Sequence, residues 1–170
     1  AAFGALQSTL ARAGATAREL IDHMSDVVWS LDPRNESLSQ LADRLRVFAH
    51  DLCDARDITL RFGIAEDIRS ARAASDVSRT LLLILKEALN NAMRHGEPSM
   101  IEVRLDVADH RIRFLVRDDG RGFDPASATR RSGLQHMDDR VRDCGGTLQV
   151  TACPGGGTCV EGRLPLQRKN

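Results

Sequence analysis

A chain of 170 residues with zero formal net charge and 42% apolar residues suits one folded domain with a modest appendage, and not a disordered protein. The balanced charge gives no support to nucleic-acid or polybasic membrane binding, and 4% aromatic residues argue against a base-stacking platform. No apolar run approaches the roughly 20 residues of a spanning helix, and Cys53, Cys144, Cys153 and Cys159 form no CxxC pair, so they read as free thiols rather than a metal site.

Taken in chain order, the apolar periodicity predicts a helix over residues 4–31, ended by Asp32-Pro33. A second helix is predicted over 37–55, with Ser37 or Ser39 as cap and Leu38, Leu41, Leu45, Phe48, Ala49 and Leu52 as its apolar stripe. Ile58–Phe62 alternates as a short strand, and 63–76 reads as a polar connection. A long helix is predicted from Asp76 to His95, with Leu81, Ile84, Leu85, Ala88 and Ala92 inward and Gly96 and Pro98 as its stop. Strands follow at 101–107 and 112–116 around a tight Asp109-His110 turn. A loop over 118–133 leads into a helix at about 134–144, ended by Gly145-Gly146. Strands at 147–152 and 158–164 close a hairpin across which Cys153 and Cys159 can face each other. This order implies an α/β sandwich: a mixed sheet with helices on one face, plus the N-terminal helix as a separate element.

Three pieces of this pattern bear on chemistry. Glu87, Asn91 and His95 recur every four residues, along one side of the long helix and next to its buried stripe. Asparagine is a poor mid-helix residue. Its side-chain carbonyl suits Mg²⁺, which takes oxygen ligands and is usually held by one or two protein groups beside phosphates. Glu87, one turn away, can orient a water or accept a proton. A solvated polar face is the plainer reading of the same line.

Asp118-Asp119-Gly120-Arg121-Gly122-Phe123 leaves a strand directly into a glycine turn. Its spacing is neither the dinucleotide fingerprint nor a P-loop. A carboxylate at a strand end can accept from an exocyclic amine such as that of adenine; a plain Asp/Gly turn is the alternative. Arg130-Arg131-Ser132-Gly133-Leu134 puts arginines and a glycine before a helix N-terminus, where free backbone N–H groups suit phosphate. An ordinary cap at Ser132 with solvated arginines would look the same.

Taken together, these pieces resemble the ATP-binding domain of sensor histidine kinases, in the superfamily that also holds gyrase B, Hsp90 and MutL. The resemblance covers roughly residues 50–165 and is nearest to the short-lid, nitrate-sensor-like and DesK-like subgroup. Lys86 to His95 resembles the N box, which implies Asn91 as the Mg²⁺ ligand, Glu87 as the catalytic glutamate and His95 near the phosphates. Asp118 to Phe123 resembles the G1 box, which implies Asp118 at adenine with Gly120 and Gly122 as its glycines. Gly133-Leu134 resembles the G2 region, with Arg131 standing where the family has a first glycine, at the triphosphate. Thr158 matches the hairpin threonine near adenine. Only ten residues separate Gly122 from Gly133, which fits the short lid.

The resemblance implies ATP and Mg²⁺ as cofactors. It also implies a γ-phosphoryl transfer to a histidine outside the chain, then to the receiver domain of a response regulator. Residues 1–33 would be part of a dimerisation hairpin and linker, and 34–168 the ATP-binding domain. His23 lies in a stretch similar to the second hairpin helix and reads as a non-acceptor. The resemblance further implies a homodimeric parent protein and a cytoplasmic location, compatible with a parent anchored in the inner membrane. An anti-sigma-type serine kinase and a degenerate nucleotide-binding module are the alternative readings.

Overall fold

The computed structural model describes residues 37–122, 132–153 and 156–167. The expected helix over 4–31, the 1–33 segment with His23, and Arg131 lie outside the described residues.

The described elements follow in the order α1 (Leu38–Asp54), β1 (Thr59–Ile64), α2 (Glu66–Ser70), α3 (Ser75–Asn91), a π-helical turn (Ala92–Gly96), β2 (Met100–Ala108), β3 (Arg111–Asp118), α4 (Ser132–Asp143), β4 (Thr147–Ala152) and β5 (Thr158–Pro165). The sheet order is β1-β2-β3-β5-β4. β1 pairs parallel with β2, and the remaining neighbours are antiparallel. The sheet is therefore mixed, as the sequence pattern implies.

Alternation decides which face is covered. On β3, Ile112, Phe114, Val116 and Asp118 are buried while Arg111, Arg113 and Arg117 are exposed. The buried face meets α1 and α3 through Leu41, Leu45, Leu81 and Leu85, each at most 1% exposed. Burying such a leucine contributes about 1.5–3 kcal/mol. α4 joins the same layer with Met137 and Val141, and the Thr80 hydroxyl of α3 meets the Cys144 sulfur at 3.2 Å. Lys86 lies over the Phe48 ring at 4.6 Å, which ties α3 to α1.

Several expectations are refined. Ser37 stands at the N-cap of α1 but makes no side-chain cap bond. β1 begins one residue later than expected and runs to Ile64. The 63–76 connection contains the short helix α2, tucked in by Ile68 at 1% exposed. The long helix is α-helical only to Asn91, and its last residues widen into the π turn. α4 begins at Ser132, so Gly133 lies inside its first turn and not before it.

The predicted turns hold. Asp109 and His110 both have positive φ, 53° and 57°, as a two-residue type I′ turn requires. Gly145 N–H donates to Arg142 O at 2.8 Å and Gly146 N–H to Val141 O at 2.9 Å, a Schellman ending for α4. All four cysteines are free thiols. Cys153 does face Cys159 across the hairpin, and burial first, then this neighbour, pushes the Cys159 thiol up. No helix among the described residues is long and apolar enough to cross a membrane.

Candidate nucleotide site

Between α3, α4 and the β3-β5-β4 end of the sheet lies a pocket of about 410 Å³, within the usual range for a small-molecule site. Its walls are apolar: Ala88 from α3, Ala92 from the π turn, and Val116, Val150 and Val160 from three adjacent strands. The register explains the strand contribution, because Val116 pairs with Val160 and Val160 with Val150, one row across the covered face.

Polar groups stand at the two ends. At one end is Asp118, the last residue of β3, only 4% exposed. Its Oδ1 accepts from the Gly120 N–H at 2.9 Å. Burial pushes its carboxyl above the usual range, and bonds from the Gly120 N–H and from the Thr158 N–H and hydroxyl offset part of that rise. A carboxylate offers about four acceptor sites, so with these donors in place one remains for a ligand.

The turn that holds Asp118 depends on close backbone approach. A Cβ on Gly120 would overlap the Gly96 carbonyl, which accepts the Arg121 N–H at 2.7 Å. Gly122 has φ +74°, which favours glycine. Asp119 fastens the same turn from outside. Its carboxylate accepts from Ser99 N–H and Met100 N–H, both at 2.8 Å, and from the Ser99 hydroxyl at 2.6 Å. The Ser99 hydroxyl bond, then the backbone bonds, hold its carboxyl below the usual range. Arg121 and Glu97 form an ion pair across the same junction.

Toward the other end stands Glu87 of α3, packed against Gly133 in the first turn of α4 beside Leu134, while Asn91 and His95 carry the same wall on toward Gly96, which lies against Asp118. The sequence pattern implies that a spacing of four puts Glu87, Asn91 and His95 on one side, and all three do line the pocket, His95 from the π turn and not from the α-helix itself. Of the residues singled out in the sequence, Glu87, Asn91, His95, Asp118, Gly122, Gly133, Leu134 and Thr158 all line this one pocket. Gly120 sits behind the wall, as the packing partner of Gly96.

Sequence reasoning reads Gly96 only as a helix stop, Asp119 only as part of the glycine turn and Gly157 only as part of the hairpin turn, and misses what each of them touches. A Cβ on Gly157 would overlap the Asp118 carbonyl, so the hairpin lies directly over the turn. Nothing in the local pattern signals these contacts, because each joins segments distant in the chain.

The donor set tests what metal could sit here. Among the described residues no three His, Cys, Asp or Glu side chains cluster as a metal cage. An amide oxygen at Asn91 beside a carboxylate at Glu87 suits an ion held chiefly by water and phosphate, which is how Mg²⁺ is usually bound.

Comparison with known proteins agrees with this fold. The family model described as "Histidine kinase-, DNA gyrase B-, and HSP90-like ATPase" matches residues 76–168. An uncharacterized sensor-like histidine kinase of Chloroflexus aurantiacus is 29% identical over 169 residues, 95% of this chain and 27% of its own length. The sensor histidine kinase LiaS of Bacillus subtilis is 29% identical over 150 residues, 88% of this chain and 39% of its own. The chain thus spans well under half the length of these relatives. Among solved structures, the histidine kinase domain of the Erythrobacter litoralis EL346 blue-light activated histidine kinase superposes with a TM-score of 0.62 at 23% identity, covering 74% of this chain and 65% of that one. With over half its residues matched by the family model and its fold shared with a histidine kinase domain, the chain belongs to the histidine kinase-, DNA gyrase B- and HSP90-like ATPase family.

Proposed function

We propose that this chain is the ATP-binding domain of a two-component sensor histidine kinase, presenting the γ-phosphoryl of ATP to a histidine outside the chain. The observation that carries the reading is that one pocket is lined both by a buried carboxylate, Asp118, and by the Glu87-Asn91-His95 line. The names of the relatives supply the phosphotransfer class.

In this reading adenine lies between Ala88 and Ala92 on one side and the valine row on the other. Asp118 accepts from its exocyclic amine, and Thr158 steadies that carboxylate through its hydroxyl. The phosphates extend toward the first turn of α4, whose free N–H groups and dipole favour negative charge. Asn91 offers its amide oxygen as the protein ligand to Mg²⁺, with His95 beside the phosphates. When bound, Mg²⁺ neutralises charge on the transferring phosphoryl group. Glu87 polarises the incoming histidine. Arg131 adds a cation to the triphosphate. The domain's task is therefore binding and positioning, and the acceptor histidine comes from elsewhere in the parent protein.

The partners that follow are the phosphoacceptor helix of a homodimeric parent and a response-regulator receiver domain. The working location is the cytoplasm, compatible with a parent anchored in the inner membrane.

Titration with ATP, with and without Mg²⁺, tests the binding half of this proposal. Saturable, Mg²⁺-enhanced binding that Asp118→Asn abolishes supports it, and no saturable binding sinks it. Labelled ATP and a separately made acceptor hairpin test the transfer. Acid-labile phosphate on histidine is expected, and acid-stable phosphoserine on a partner overturns the kinase class.

A further inference from the structure

The pocket helix ends on a carbonyl that the helix itself does not satisfy. α3 widens after Asn91, and Ala92–Gly96 continue as a π turn. In an i→i+5 ladder the donor for the Met93 carbonyl would be residue 98. Residue 98 is proline and has no N–H. Glu97 turns left-handed, φ 49°, so the helix does not continue past it. A helix-end carbonyl in a partly buried turn needs a donor from elsewhere.

Arg56 supplies that donor. Its Nη1 donates to Met93 O at 2.7 Å in a part-buried contact. The arginine is well placed because it sits just past the end of α1, where its own N–H donates to Cys53 O at 3.0 Å. A guanidinium stays charged at any working pH and offers donors alone, which suits an orphan carbonyl.

The π turn matters to the site in two ways. Four residues of α-helix overshoot one turn by about 40°. A straight α-helix would therefore carry His95 about 80° away from Glu87. The wider π turn undershoots and returns His95 to the wall it shares with Glu87 and Asn91. The same turn delivers Gly96, whose carbonyl receives the Arg121 N–H and packs against Gly120. The same five residues thus set His95 on the pocket wall and Gly96 against the turn that holds Asp118.

We propose that Arg56 is a positioning residue for the nucleotide site, holding the Ala92–Gly96 π turn through the Met93 carbonyl. Arg56 is not among the pocket-lining residues; it acts through the turn. Its effect on nucleotide binding rests on the function proposed above, whereas its effect on the turn does not.

The test compares the wild-type chain with Arg56→Met and Arg56→Lys. In the apo protein, amide exchange over residues 92–97 is expected to rise about tenfold with methionine and less with lysine, with the β2–β3 amides unchanged. The His95 ring resonances are expected to shift in the same order. Mg-ATP affinity, measured well below each melting temperature, is expected to fall about fivefold with methionine and to recover partly with lysine. Unchanged exchange over 92–97 with methionine overturns the proposal. So does faster exchange with equal affinity in all three proteins, since that describes a merely structural contact. Should the wild type bind no nucleotide, the functional reading fails by itself. The exchange and the His95 resonances then decide the Arg56 assignment: a shift supports it, and unchanged resonances overturn it.

Discussion

Glu87 and Gly133 are packed against each other: a Cβ built on Gly133 would stand 2.9 Å from Glu87 Oε1. The first turn of α4 therefore approaches the carboxylate closely enough that only glycine leaves it undisturbed. The free N–H groups of a helix start favour a carboxylate there. This contact joins the lid-side helix to the pocket helix at the end where the phosphates are proposed to lie.

Gly133→Ala displaces the tip of one side chain and no backbone. Folding stability is expected to hold or rise slightly, because alanine is the better helix residue by about 1 kcal/mol. Phosphotransfer to an acceptor hairpin is expected to fall about tenfold, with ATP affinity changed by less than about threefold. A wild-type transfer rate would show that the position of Glu87 does not matter to the chemistry.

Asp118→Asn separates stability from binding. The wild-type carboxyl is raised by burial, so its ionised form costs the folded state. A group with a raised folded-state pKa contributes most below its unfolded value and loses that contribution as pH rises through the folded value. The asparagine variant is therefore expected to melt at or above the wild type at pH 8. The gap should close on acidification, as the wild-type carboxyl takes up its proton. Nucleotide affinity at pH 8 should fall at least about tenfold. Melting curves across the pH range check the first half, and a variant less stable at pH 8 than at pH 4 relative to wild type contradicts it.

Asp119→Ala removes the acceptor for two N–H groups and a hydroxyl. The site is exposed, so the loss is expected to be modest, about 1 kcal/mol. The sign of its pH dependence is opposite to that of Asp118. Its carboxyl is held low, so its contribution is present above the ordinary aspartate value and is lost as pH falls through the lower folded value. Denaturant unfolding at neutral and acid pH should show the difference between variant and wild type shrinking only in strong acid.

Asn91→Ala is expected to erase the Mg²⁺ dependence of ATP binding. The wild type should bind more tightly with Mg²⁺ than with a chelator, and the variant should bind equally in both, roughly tenfold more weakly than the wild type with the metal. Adenosine, which carries no phosphate, serves as the control and should bind both proteins alike. A retained metal effect would assign the ion to another oxygen.

Much of this candidate site is legible in the sequence, and the reasons are physical. The Glu87-Asn91-His95 line and the Asp118 turn are local patterns, and both fall on one pocket. The alternation of β2 and β3 and the Asp109-His110 turn are local too, and they place Asp118 at a strand end. What stayed hidden is of two kinds. α2 has five residues, too few to show a period. The π turn is invisible because a spacing of four is read equally well by an α and a wider helix. The second kind is long-range: Arg56 reaches Met93, and Asp119 reaches Ser99 and Met100, across stretches of chain that no local rule connects.

The tight reversal at Asp109-His110 has a practical consequence. β3 runs from this turn to Asp118, and its eight residues span roughly 24 Å. The hairpin tip and the pocket therefore sit at opposite ends of one straight strand. A fluorophore or an affinity handle attached at His110 would report on the molecule from a point that a bound nucleotide does not reach.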